Sequence, residues 1–80
     1  MGLRVFITAG AGGIGRVIAQ TYAAEGAQVH VCDQDQAAIG ALQDGINGTC
    51  VDVTDEAALD AWLQAGLARL GGCDVLINNA

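Results

Sequence analysis

The chain has 80 residues, 52% of them hydrophobic and only 15% charged. That is enough for one small core and too apolar for a disordered segment. Nine acids stand against three arginines, with no lysine, for a net charge of −6, which argues against a surface that neutralises nucleic-acid phosphates or lies on an anionic membrane.

In chain order, Leu3 to Thr8 is an almost wholly apolar run and reads as a first strand buried on both faces. The run is short and glycine-broken, so a signal peptide is not expected. Ala9 to Gly13 forms a turn, followed by a helix from Ile14 to about Glu25, with Ile14, Val17, Ile18 and Tyr22 at helical spacing and Gly26 as its stop. Gln28 to Cys32 is the second strand, ended by Asp33. A short helix is expected from Gln34 to about Asp44, broken by Gly45 and Gly48. Thr49 to Val53 is the third strand. Thr54 or Asp55 caps a third helix that runs to about Leu70, with Leu59, Trp62, Leu63, Gly66, Leu67 and Leu70 as its apolar stripe. Gly71 and Gly72 stop it, and Asp74 to Asn78 is the fourth strand.

Strict alternation of strands and helices implies an α/β fold with a parallel sheet and right-handed crossovers. The expected arrangement is the doubly wound (Rossmann) sheet in order 3-2-1-4, with two helices on one face and the third on the other. The crevice at its switch point then lies between the carboxyl ends of strands 1 and 4, where such sheets bind ligands.

The densest signal sits at that crevice. Gly10, Gly12, Gly13 and Gly15 fit G-x-G-x-x-G between a strand and a helix. Bare amides at a helix start, free of side chains, are suited to a pyrophosphate. A glycine turn needed only for close packing is the plainer alternative. Asp33, eighteen residues beyond Gly15, is placed to accept from the adenosine ribose hydroxyls and to repel a 2′-phosphate, favouring NAD over NADP. Asp35 is its substitute if the strand ends later, and Arg16 is the one nearby basic residue. Asp52 and Val53 border the adenine side, unless Asp52 merely precedes a helix cap. Asn78 and Asn79 end a buried strand and must be hydrogen-bonded, to another strand, to a cofactor ribose or to both.

The cysteines, Cys32, Cys50 and Cys73, are odd in number and lack metal-ligand spacing. They read as buried thiols of a reducing, cytoplasmic compartment, and no metal site is expected. His30, Trp62 and Tyr22 read as packing residues.

Taken together, Thr8 to Gly15 (T-A-G-A-G-G-I-G), Asp33, Asp52-Val53 and Asn78-Asn79-Ala80 resemble the short-chain dehydrogenase/reductase family, in order and in spacing. The resemblance covers the whole chain as the N-terminal part of a longer domain. It implies that Gly10, Gly12, Gly13, Ile14 and Gly15 hold the pyrophosphate of a dinucleotide, Asp33 the ribose, and Asp52 and Val53 the adenine, while Asn78 lines the cofactor and supports the sheet. It implies hydride transfer between nicotinamide and an alcohol or ketone in the complete protein, with a homo-oligomer as a candidate assembly. The family usually has T-G-x-x-x-G-x-G. Ala9 stands at its first glycine, and Gly10 is expected to absorb the turn.

The family's catalytic Ser and Tyr-x-x-x-Lys have no counterpart. The chain contains neither Ser nor Lys, and Tyr22 is followed four residues later by Gly26. No catalytic residue is therefore assigned. Two further readings follow from the same gap: a nucleotide-binding module or fragment without catalysis, and an element that pairs with a separate C-terminal chain. The fourth strand is expected to be a bare apolar edge.

Overall fold

The structure is a computed structural model that describes residues 2–42 and 45–79. Its elements are β1 (Arg4–Thr8), α1 (Gly13–Ala24), β2 (Gln28–Asp33), α2 (Gln36–Gly40), β3 (Ile46–Cys50), α3 (Glu56–Leu70) and β4 (Val75–Asn78). The strands form one parallel sheet in the order β3-β2-β1-β4, as the alternation predicts.

Side chains alternate across β1 and β2 and so divide the core in two. Val5, Ile7, Val29 and Val31 face α1 and α2, where Ala19, Ile18, Tyr22, Ile39 and Leu42 pack on them. Phe6 and Cys32 face α3 and meet Trp62, Leu59, Leu63 and Leu70. Tyr22 and Trp62 are packing residues, as expected. Ile14 and Val17 are not part of the core: both remain exposed, because α1 turns its Ile18–Ala19–Tyr22 side to the sheet. Leu67, on the edge of the α3 stripe, is also exposed.

Two elements depart from the sequence reading. β3 begins at Ile46 and ends at Cys50, not at Thr49 and Val53. Its register on β2 runs from Val29↔Ile46 to Asp33↔Cys50. Gly48, expected to break a helix, lies within the strand. A Cβ there would come within 2.5 Å of Leu42 and 3.1 Å of Ile39, so the bare backbone is what lets α2 lie on the sheet. The helix α2 is correspondingly short. Asp35 caps it, accepting from the Ala38 amide at 3.1 Å. The last residues expected in that helix, Gln43 and Asp44, lie outside the described residues, as does Ala80.

The cysteine reading also needs correction. Cys32 is buried, but Cys50 and Cys73 are exposed. Cys50 ends the outer strand β3, and Cys73 lies in the connection from α3 to β4.

The remaining caps follow the sequence. Asp55 accepts from the Ala58 amide at 3.1 Å, and Gly71 closes α3 in a left-handed conformation. Asp74 starts no strand. It receives the Arg4 guanidinium through two bonds of 2.9 and 3.0 Å, and this pairing holds its carboxyl down at about 2. β4 forms an edge of the sheet, and its Leu76 is 57% exposed. Among the described residues, no helix is long and apolar enough to cross a membrane.

Between the sheet and α3 lies a polar contact inside the core. The His30 Nε2 donates to the Trp62 carbonyl at 3.0 Å, and its Nδ1 accepts from the Asn47 amide at 2.8 Å. The ring stacks on Trp62 at 4.9 Å and 11°. Trp62 in turn donates from Nε1 to the Val31 carbonyl at 3.0 Å. Gly66 makes room for this layer: a Cβ there would sit 2.5 Å from the His30 ring and 2.7 Å from Phe6.

The neutral ring is thus satisfied at both nitrogens, and burial lowers the His30 pKa below 6.5 against the opposing Trp62 bond, with Arg69 adding to the lowering. The unfolded chain therefore takes up a proton first as pH falls. This part of the stability is complete above pH 6.5 and is lost as pH drops toward the folded value. Urea midpoints followed by circular dichroism should fall between pH 7.5 and 5.5, and His30→Gln should flatten that dependence, since His30 is the chain's one histidine.

Candidate dinucleotide site

The carboxyl ends of β1, β2 and β4 meet the start of α1. Gly12 precedes the helix with extended backbone and supplies no capping side chain. The first α1 amides therefore have no side-chain acceptor at the N-cap, and no acid lies in the first turn to oppose an anion. A Cβ placed on Gly12 or Gly13 would meet nothing within 4 Å. These two glycines face open space, and Gly13 has a positive φ of 55°. Such a cradle fits a pyrophosphate.

Gly10 and Gly15 do a different job. A Cβ on Gly10 would come within 2.6 Å of Val31, and the Gly10 amide donates to the Cys32 carbonyl at 3.1 Å. Gly15 is buried against the Ala9 carbonyl and the Asn79 amide. These glycines let turn, strand and helix approach one another. Gly10 does not absorb the turn by itself. Ala9 carries the left-handed conformation, with φ 53°, so the residue at the first glycine position makes the bend as an alanine.

Asp33 stands at the end of β2 and binds two turns at once. Its Oδ2 accepts from the Ala11 amide at 3.2 Å and its Oδ1 from the Asp35 amide at 3.0 Å. β2 ends at Asp33, so Asp35 lies beyond the strand, where it caps α2. Asp33 also lines a cleft of about 330 Å³ with Ala9, Gln34, Val51, Asp52, Val53 and Thr54. Val51 to Thr54 reach this cleft because β3 has already ended. The Asp52 Oδ1 accepts from the Thr54 amide at 2.9 Å and its hydroxyl at 2.7 Å, and these bonds lower its pKa. The helix-approach role and the cleft position coexist in Asp52.

At the end of β4, the Asn78 Oδ1 accepts from the Thr8 hydroxyl at 3.0 Å. The Asn79 amide nitrogen Nδ2 donates to the Ala9 carbonyl at 3.2 Å. Both asparagines therefore tie β4 to the end of β1. The nearby Arg16 is exposed on α1. Sequence reasoning missed Gln34 and Thr54 as cleft residues and the bond from Ala11 to Asp33. The carboxylate's place two residues before Asp35 was a usable signal for an Asx turn; the long-range bond had none.

A larger cleft of about 420 Å³ opens at the opposite end of the sheet, lined by Gln28, Ile46, Asn47 and Arg69 among others. It lies at the starts of β2 and β3, without the free helix start that the Asp33 side offers. Ligands of open α/β sheets bind at the carboxyl ends, which selects the smaller cleft.

A parallel sheet in this order, with a bare helix start and a carboxylate at the end of β2, defines a doubly wound α/β protein. The sequence profile described as short chain dehydrogenase matches residues 4–80, and the chain belongs to that family. Mouse L-fucose dehydrogenase is 39% identical over an alignment of 79 positions that covers 95% of this chain and 29% of the mouse protein. Galactitol 2-dehydrogenase from Agrobacterium fabrum is 42% identical, covering 92% of this chain and 30% of its own. Among solved structures, the 3-ketoacyl-(acyl-carrier-protein) reductase from Brucella melitensis, complexed with NADH, superposes on 94% of this chain and 32% of its own with a TM-score of 0.83 and 32% identity. The hydroxysteroid dehydrogenase from Escherichia coli superposes with a TM-score of 0.89 and 33% identity, over 98% of this chain and 35% of its own. The chain thus spans about a third of the length of these relatives.

Because Asp33 joins the glycine turn to the β2–α2 turn, Asp33→Ala should leave both amides without their acceptor. A loss of about 1–3 kcal/mol in urea unfolding is expected, with earlier hydrogen exchange at Ala11 and Asp35.

Proposed function

We propose that residues 1–80 are the N-terminal part of one dinucleotide-binding domain in an NAD-dependent short-chain oxidoreductase. The complete protein would move hydride between nicotinamide and a small alcohol or ketone. One observation carries the proposal: the open ground in front of the uncapped α1, where Gly12 and Gly13 meet no protein. Gly10, Gly12, Gly13, Ile14 and Gly15 would hold the pyrophosphate, Gly12 to Gly15 through the helix start and Gly10 by shaping the turn. Asp33 would accept from the adenosine ribose, and Asp52 and Val53 would flank the adenine. Asn78 would border the cofactor while its Oδ1 keeps β4 on β1.

NAD is preferred to NADP in this proposal because the Asp33 carboxylate lines the cleft and a 2′-phosphate beside it would be repelled. When bound, the dinucleotide supplies the hydride acceptor or donor. This chain's own residues bind and orient it. The family's Ser and Tyr-x-x-x-Lys are not among them, since the chain has no Ser or Lys and Tyr22 packs beneath α1. A reducing, cytoplasmic setting accompanies the proposal, because all three cysteines are free thiols.

Calorimetric titration with ADP-ribose tests the cradle. Gly12→Val should leave the thermal midpoint nearly unchanged, because the new side chain enters open space from an extended backbone. It should weaken ADP-ribose by about tenfold or more; unchanged affinity would reject the cradle. The cofactor preference is checked separately. ADP-ribose should bind about tenfold more tightly than its 2′-phosphorylated analogue, and Asp33→Asn should narrow that gap.

A further inference from the structure

Asn47 and Gly48 are adjacent on β3 and face opposite sides of the sheet. Each is fixed by what it meets. On the α3 side, the Asn47 Nδ2 donates to the His30 Nδ1 at 2.8 Å. On the other side, a Cβ on Gly48 would come within 2.5 Å of Leu42. Packing therefore maintains an Asn-Gly pair, in which the second residue has no Cβ to hinder its own amide nitrogen. It is the chain's one such pair, since Asn78 precedes Asn79 and Asn79 precedes Ala80. The pair is also within reach of water. Among the described residues β3 has β2 as its single neighbour, and Asn47 lines the open 420 Å³ cleft. Opening of such an outer strand is a low-energy excursion, and it frees the Gly48 nitrogen from strand geometry.

We propose that Asn47–Gly48 is a deamidation site and that its aspartyl product is a switch acting on His30. The Gly48 nitrogen attacks the Asn47 side-chain carbonyl carbon, the bond from that carbon to the amide nitrogen breaks, and ammonia leaves with the Gly48 proton. Water then opens the cyclic imide to a carboxyl in the side chain or, as isoaspartate, in the main chain. The aspartyl product keeps the shape of Asn47 but has no donor. Its oxygen meets the Nδ1 lone pair of a ring whose Nε2 hydrogen is already given to the Trp62 carbonyl. Two acceptors leave each other unsatisfied, whereas an imidazolium donates at both nitrogens. The ring otherwise touches Phe6 of β1 and Trp62 of α3, and Arg69 of α3 is the one charged group among the described residues that acts on it. Burial and Arg69 favour the neutral ring; a carboxylate at hydrogen-bond distance opposes both. Deamidation thus exchanges an amide–imidazole contact between β2 and β3 for an ion pair.

The test ages this chain at mildly alkaline pH and locates converted asparagines by peptide mass spectrometry. Asn47 should convert ahead of Asn78 and Asn79, although those two are exposed and Asn47 is half-buried. Earlier conversion of either would overturn the site. The aspartyl fraction, separated by its added negative charge, and the variant Asn47→Asp should then show the same His30 titration by NMR, its midpoint moved from below 6.5 in the parent to above it. With the folded value raised, the ring's contribution to urea midpoints is present below pH 6.5 and lost as pH rises through the new midpoint, the reverse of the parent. His30→Gln in the Asn47→Asp background should remove that reversal. A midpoint that stays below 6.5, or an aspartyl product that no longer folds, would overturn the switch.

Discussion

The contact on which the site depends is the approach of α1 to the Ala9 carbonyl. Gly15 is pressed against that oxygen, and Asn79 donates to it from the other side. A side chain at residue 15 would push the helix away. The helix start would then no longer face the space beyond β1, and the first amides would lose their common direction. The openness of the helix start is therefore a packing property before it is a chemical one. Gly10 repeats the principle on the β2 side, where its bare Cα lies on Val31.

Asp33 and Asp52 show how a small site serves two purposes. Asp33 faces the cleft, yet its oxygens already hold the amides of Ala11 and Asp35. Asp52 also faces the cleft, yet one of its oxygens fixes Thr54 ahead of α3. Carboxylates restrained in this way are positioned before a ligand arrives, which reduces the entropy lost on binding. In the proposed site, their remaining acceptor capacity would be directed at hydroxyl and amino groups of the nucleotide.

Much of this was legible in the sequence, for physical reasons. Strand–helix alternation fixes a parallel sheet, and the glycine cluster between an apolar run and a helical pattern marks the turn. The sheet order and the packing of α1 and α3 on opposite faces follow from that alternation with right-handed crossovers in a doubly wound sheet, and the inward roles of Tyr22 and Trp62 from the helical spacing of their apolar neighbours. The position of β3 did not. Its glycine looked like a helix breaker, whereas the register on β2 and the packing of Ile39 and Leu42 make it a strand residue. Local composition cannot register that override. The exposure of Cys50 and Cys73 likewise depends on where the strand ends and on what covers it. Ala9 departs from the family's glycine pattern, but no local signal marks which residue takes the left-handed bend. That is decided by Gly15, Asn79 and Val31, which lie far apart along the chain.

The stacked His30–Trp62 pair has a practical consequence. The chain has a single tryptophan and a single histidine, and they lie face to face at the seam between α3 and the central strands. Indole emission from this molecule thus has one source and one dominant neighbour. It is an intrinsic optical gauge of whether α3 is seated on the sheet, obtained without a label and without altering any residue.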